Sequence, residues 1–202
     1  YGDIFTPPSL PTETSFGTIH VPGYIGGASW MGAAVDPETG IIYIPSATIP
    51  SRSGLAIPPE EDATLNYVRN VTTNLRPRGL PLIKPPYGRI TAIDLNVGEI
   101  LWQVANGMGS PTMRNHSALA GVDLPPLGNG WDQVLVTKTL LISAQRTPNE
   151  GGSYPLVARD KLTGDTIAEL ALPAQPIGPP VTYLNNGQQQ IAVTISGTPP
   201  EL

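Results

Sequence analysis

Short runs of apolar or alternating residues recur along the chain and are separated by glycine-closed turns. The runs at 17–21 (GTIHV), 31–36, 41–46 (IIYIPS), 89–94 (RITAID), 99–104 (EILWQV), 133–137 (QVLVT), 139–144 (TLLISA), 155–160, 166–171 (TIAELA), 180–184 (PVTYL) and 189–195 (QQIAVTI) predict strands. Their period of two, or unbroken apolar character over a few residues, is that of strands in packed antiparallel sheets. No segment predicts a helix.

The turns carry the clearer signal. Pro37-Glu38-Thr39-Gly40, Leu95-Asn96-Val97-Gly98, Lys161-Leu162-Thr163-Gly164 and Asn185-Asn186-Gly187 each end on a glycine able to take positive φ, and each marks a hairpin. Three of them share the pattern Ala-x-Asp-x-x-(Thr/Val)-Gly, at Ala34/Asp36/Gly40, Ala92/Asp94/Gly98 and Ala158/Asp160/Gly164. An aspartate that opens a turn accepts hydrogen bonds from the amides that follow, so these acids read as turn organisers rather than catalytic or metal-binding groups. Grouping the hairpins gives 31–46 with 89–104 as one four-stranded unit and 133–144 with 155–171 as another. A third begins at 180–195. Repeated four-stranded antiparallel sheets predict an all-β fold of β-propeller blades, about two complete blades with parts of flanking ones. The boundaries expected are 1–22 for the end of a preceding blade, 30–104 for a blade with a long insertion at 47–88, 132–171 for the next blade and 180–195 for the start of a final one. The segments 47–88 and 105–131 are expected to be long loops, and long loops in a compact all-β domain are functional or disordered.

Composition agrees and narrows the function. Among 202 residues, 24 prolines and 22 glycines disfavour long helices. With 11 basic against 16 acidic residues and a net charge of −5, no nucleic-acid partner and no anionic membrane partner is expected. No cysteine is present, which removes disulfides, thiol catalysis and thiolate metal ligands. No apolar stretch approaches the roughly 20 residues of a membrane-spanning helix. The chain starts at Tyr1 and stops at TPPEL directly after a strand-like run, from which a fragment of a longer protein is expected.

The segments GGASWMGAAVDPETGIIYIPS (26–46), PPYGRITAIDLNVGEILWQV (85–104), RNHSALAGVDLPPLG (114–128), VLVTKTLLISA (134–144) and PPVTYLNNGQQQIAV (179–193) resemble, in order, the C-terminal blades of eight-bladed quinoprotein dehydrogenases of the glucose dehydrogenase-like group. The resemblance implies an oxidoreductase that uses pyrroloquinoline quinone (PQQ) with Ca²⁺, oxidises a sugar or alcohol and passes electrons to a quinone or cytochrome. It implies a periplasmic or extracytoplasmic location. It also implies that the general base, the calcium ligands and most PQQ contacts lie in earlier blades, so no catalytic or metal-ligating residue is expected here and the chain alone is expected to be inactive.

Trp30 stands where that family places a cofactor-proximal tryptophan, and Ser29 where it commonly has asparagine, so these two are the candidate PQQ contacts. The alternative for Trp30 is a core wedge between blades. Trp102 is read as a docking tryptophan that packs on the neighbouring sheet; the equivalent place in the next repeat is Ala168. Trp131 faces either the axis or a blade interface. His116, with Arg114 and Asn115, is read as loop architecture bonding to carbonyls, His20 as packing or surface, and Glu60-Glu61-Asp62 as a solvated charge run. The competing reading of the whole is a non-catalytic propeller serving as a binding or assembly scaffold. An open run of blades leaves strand edges unpaired, which predicts pairing with the remaining blades or self-association.

Overall fold

The computed structural model describes residues 3–28, 32–59, 64–72 and 75–197. Its strands in chain order are β1 (Thr18–His20), β2 (Gly27–Ala28), β3 (Ala34–Asp36), β4 (Ile41–Ala47), β5 (Ser51–Ala56), β6 (Val68–Thr72), β7 (Gly88–Asp94), β8 (Glu99–Ala105), β9 (Val134–Val136), β10 (Leu140–Ala144), β11 (Tyr154–Asp160), β12 (Thr166–Leu172), β13 (Val181–Asn185) and β14 (Gln188–Ala192). A four-residue helix, α1 (Pro111–Arg114), lies between β8 and β9. Ser110 caps it, its hydroxyl accepting from the Met113 amide at 3.3 Å. The chain divides into two compact units, residues 1–27 with 48–84 and residues 28–47 with 85–202.

In the larger unit, β3, β4, β7 and β8 lie side by side and antiparallel. Strands β9 to β12 form a second antiparallel sheet in simple meander order. Both sheets are antiparallel and built from the glycine-closed hairpins, as the turn pattern predicts; β2 also pairs with β4, so the first has five strands. β13 and β14 form a two-residue-turn hairpin in which Asn186 and Gly187 both take positive φ (50° and 78°), the backbone an Asn-Gly turn favours. The two blades repeat even in their irregularity. Ala92 pairs with Trp102 and Ile93 with Ile100, which leaves Leu101 as an extra residue. Ala158 pairs with Ala168 and Arg159 with Thr166, which leaves Ile167 extra in the same way. A bulge of this kind twists the outer strand and re-aims the side chains beyond it.

The core joins the two sheets. Ile41, Tyr43, Ile90, Ala92 and Leu141 are buried together, with Trp102, Val104, Val134 and Val136 packed around them. The Trp102 ring lies 5.8 Å from that of Tyr43, and its Nε1 donates to the Lys161 carbonyl at 3.2 Å, in the turn between β11 and β12. Trp102 therefore docks on the neighbouring blade. At the matching register position Ala168 is exposed, as is β12 from Thr166 to Ala171. A second cluster of Ala144, Val193 and Ile195 seats the segment after β14 on the other face of the β9–β12 sheet.

The smaller unit differs from expectation. The segment 47–88, expected to be a loop, contributes β5 and β6, which pair with each other and with β1 in a three-stranded antiparallel sheet. Its interior is built from small polar residues: Ser51 and Ser53 are fully buried, one hydroxyl accepting from the Tyr24 amide at 3.0 Å and the other bonded to the Tyr24 hydroxyl at 3.1 Å. A sheet filled by serine, glycine and one tyrosine shows no apolar alternation.

Candidate functional site

The three aspartate turns have one construction. Asp36, Asp94 and Asp160 each accept through Oδ1 from the amide two residues on, at 3.1, 2.8 and 2.7 Å. Gly40, Gly98 and Gly164 have φ of 72°, 76° and 80°, and each donates its amide to the carbonyl of the opening aspartate. These acids organise turns. Asp36 does more: its Oδ2 accepts from the Thr39 hydroxyl at 2.7 Å and from Lys161 Nζ at 2.6 Å, a pair largely buried between the two blades beneath exposed turns. The Lys161 ammonium and the Thr39 hydroxyl hold the Asp36 carboxyl down at about 2. Burial, and then the charges of Asp36 and Asp160, push the Tyr43 phenol up to about 12.

Ser29 and Trp30, the candidate PQQ contacts, lie outside the described residues, as do Glu60, Glu61 and Asp62. Glycines on either side of Ser29 and Trp30 are described. Gly27 has φ of 89° and Gly32 has φ of 96°, and at Gly32 nothing stands within 4 Å of where a Cβ would be. Calcium does not find its donors here: among the described residues no three His, Cys, Asp or Glu side chains converge.

The loop between β8 and β9 is held from within. Arg114 donates to the carbonyls of Met108, Leu124 and Pro125 at 3.1 to 3.3 Å, and His116 Nδ1 accepts from the Ala118 amide at 3.2 Å. Both brace the loop: Arg114 bonds to carbonyls as expected, whereas His116 accepts from an amide instead. Trp131 is half-buried, and His20 in the smaller unit meets the Tyr24 ring edge-on.

A polar group at one end of the β9–β10 pair escaped sequence reasoning. Asp132 is 3 % exposed; its Oδ1 accepts from the Arg146 amide at 3.0 Å and its Oδ2 has no partner. Burial pushes its carboxyl up to about 6, against the pull of the Arg146 amide and charge. Ser143 and Asn106 are likewise buried with side-chain atoms unpaired, and Asn129 bridges the Gly109 amide and Gln145 at 2.7 and 3.3 Å. The available signal was Asp132 itself, an acid placed directly before the apolar run VLV.

Residues 1–191 match the family described as PQQ glucose/ethanol/alcohol dehydrogenase, beta-propeller domain. The quinoprotein glucose dehydrogenase of Gluconobacter oxydans (strain 621H) is 30% identical over 226 residues, covering 98% of this chain and 26% of that protein. The probable quinate dehydrogenase (quinone) of Xanthomonas campestris pv. juglandis is 27% identical over 98% of this chain and 26% of its own length. Among solved structures, the europium-containing methanol dehydrogenase aligns with a TM-score of 0.58 at 21% identity, over 86% of this chain and 26% of that one. The quinohemoprotein alcohol dehydrogenase of Comamonas testosteroni aligns at 0.54 and 20%, over 88% and 24%. At such identities the structural likeness establishes the fold, and the chain spans about a quarter of the length of the curated relatives it matches. Taken with the docked tryptophan and the repeated aspartate turns, these matches place the chain in the β-propeller domain family of PQQ-dependent dehydrogenases.

Proposed function

We propose that this chain is part of a longer PQQ-dependent dehydrogenase that oxidises a hydroxyl-bearing carbon of a sugar, polyol or alcohol. The match over residues 1–191 carries the reading. Relatives named for glucose, quinate, glycerol and alcohol share that chemistry. When bound, PQQ supplies the two-electron acceptor, and the protein supplies position and electrostatics. Trp30 and Ser29, by their place in the family-like motif, are the proposed cofactor contacts of this chain. Ca²⁺ is held by residues of the longer protein, the electrons pass to a quinone or cytochrome, and the enzyme works in the periplasm or another extracytoplasmic compartment. The chain alone is inactive.

The test is reconstitution of the full-length protein with PQQ and Ca²⁺, followed by dye reduction with glucose, glycerol, ethanol and quinate. Activity with at least one substrate, dependent on PQQ and lowered by Trp30→Ala, is the expected result. Absence of PQQ-dependent turnover together with unquenched tryptophan fluorescence would overturn the reading in favour of a scaffold.

A further inference from the structure

A cavity of about 320 Å³ lies where the β9–β12 sheet faces the end of β8. On one wall the alternate residues Pro155, Val157 and Arg159 of β11 share a face, with Glu169 and Thr166 beside them on β12. Opposite are Val104, Ala105 and the loop residues Met108, Pro126 and Asn129. A second hollow of about 330 Å³ shares Met108, Gly109 and Asn149 with the first and is bounded by Arg114, Glu150 and Gly151.

Two of the lining side chains are more than nine-tenths buried and carry spare hydrogen-bonding groups. Gln145 is 3 % exposed; its Oε1 accepts from Asn129, and among the described residues its Nε2 makes no hydrogen bond. Arg159 is 8 % exposed and donates to the Gly164 carbonyl, the Thr166 hydroxyl and the Ala105 carbonyl at 3.2, 2.9 and 3.4 Å, while its Nε is unpaired. No carboxylate lies within ion-pair distance of it among the described residues. Spare buried donors of this kind are costly unless something meets them.

The lining also narrows the occupant. An apolar ligand would strand Gln145 and Arg159. A strongly anionic one would meet Asp165 and Glu169 on the same wall as the single cation. A neutral molecule with many hydroxyls satisfies both signs, since each hydroxyl donates to a carboxylate and accepts from an amide or guanidinium. Val104 and Pro126 supply apolar contact for the C–H face such a molecule presents. The volume is at the lower end of small-molecule sites, which run from roughly 300 Å³.

We propose that this interblade cavity is a binding site for a neutral polyhydroxylated small molecule of the sugar or polyol class. The site stands on this chain's own residues, so the assay is calorimetric titration of the full-length protein without PQQ, using methyl β-D-glucopyranoside and glycerol, with inorganic phosphate as the anionic comparison. Saturable binding of at least one of the two neutral probes, weakened about tenfold by Glu169→Ala and by Gln145→Met, is expected. Glu169 is exposed, so its variant should melt where the parent does; Gln145→Met keeps the volume and removes the amide. If Gln145→Met does not fold, Glu169→Ala decides. The proposal is overturned by no saturable heat with either neutral probe, by binding that Glu169→Ala leaves unchanged, or by tighter binding of phosphate. Failure here leaves PQQ-dependent turnover untouched, so the two readings fall separately.

Discussion

Replacing Lys161 with methionine would leave Asp36 as a lone carboxylate largely buried between two blades. The wild-type pair is 2.6 Å apart, with side chains 8 % and 5 % exposed. Removing one member of a deeply buried pair costs about 3–5 kcal/mol, because the survivor keeps its desolvation cost and loses its partner. The turns around this pair are thin: Glu38, Thr39, Leu162 and Thr163 are all exposed. Nearby water screens the surviving charge, so the cost falls to about 1–3 kcal/mol. In a protein about four times the length of this chain, that is a drop of about 0.5–2 °C in melting temperature. Asp36 has a lowered pKa, so the pair's contribution is complete above the unfolded value of 3.8 and is lost as pH falls through about 2. The gap between parent and Lys161→Met in unfolding free energy of the full-length protein should therefore be constant at neutral pH and close between about pH 4 and pH 2. The double variant with Asp36→Asn should recover part of the loss, since neither charge then remains buried. A Lys161→Met protein whose unfolding free energy in denaturant lies within about 0.5 kcal/mol of the parent's, or a gap that persists unchanged at the acid end, would refute the reasoning.

Two further substitutions probe the blade junction and the buried acid. Gly164→Ala places a Cβ 2.9 Å from Trp102 Cε3 and Val104 Cγ1 at φ of 80°, whereas Gly98→Ala meets nothing within 4 Å at φ of 76°. Gly98→Ala should cost about 1 kcal/mol from backbone strain alone, and Gly164→Ala about 2–4 kcal/mol; equal effects in denaturant melts would mean that the docking contact is not tight. Asp132 is raised to about 6, so the folded state holds its proton more firmly than the unfolded state and the site loses stability as pH rises from about 4 to about 6. Asp132→Asn keeps an acceptor for the Arg146 amide and removes that loss, and should raise stability by about 2–3 kcal/mol at neutral pH with little change at about pH 4. A variant less stable than the parent at neutral pH would show that Asp132 serves a need for charge.

The blades were legible because their signals are local. Ala92, Asp94 and Gly98 sit within one turn, and the same spacing at Ala34 and Ala158 announces a repeat whatever the strands pair with. Trp102 was legible as a docking residue for the same reason. The Asp36–Lys161 pair was not, since the residues are 125 positions apart and Lys161 occupies a place taken by Pro37 and Leu95 in the other turns. Only the packing of one blade on the next brings them together. The sheet of β1, β5 and β6 was hidden for another cause: apolar periodicity reports burial of apolar surface, and a sheet whose interior is Ser51, Ser53 and Gly54 has little to report. The candidate site divides in the same way. Trp30 and Ser29 could be named from the motif they stand in, while the spare donors of Gln145 and Arg159 become visible only when β11 faces β8.

Residues 48–87 are spliced into the blade between β4 and β7. The chain leaves the sheet after Ala47 and rejoins it at Gly88, and these two residues are register partners on adjacent strands. Adjacent strands stand about 4.8 Å apart, so entry and exit are one strand spacing from each other. A tight turn would bridge that gap as well as the whole of 48–87 does. The β4–β7 ladder therefore fixes only the two ends of the segment, and what lies between them pairs instead with β1 from the start of the chain.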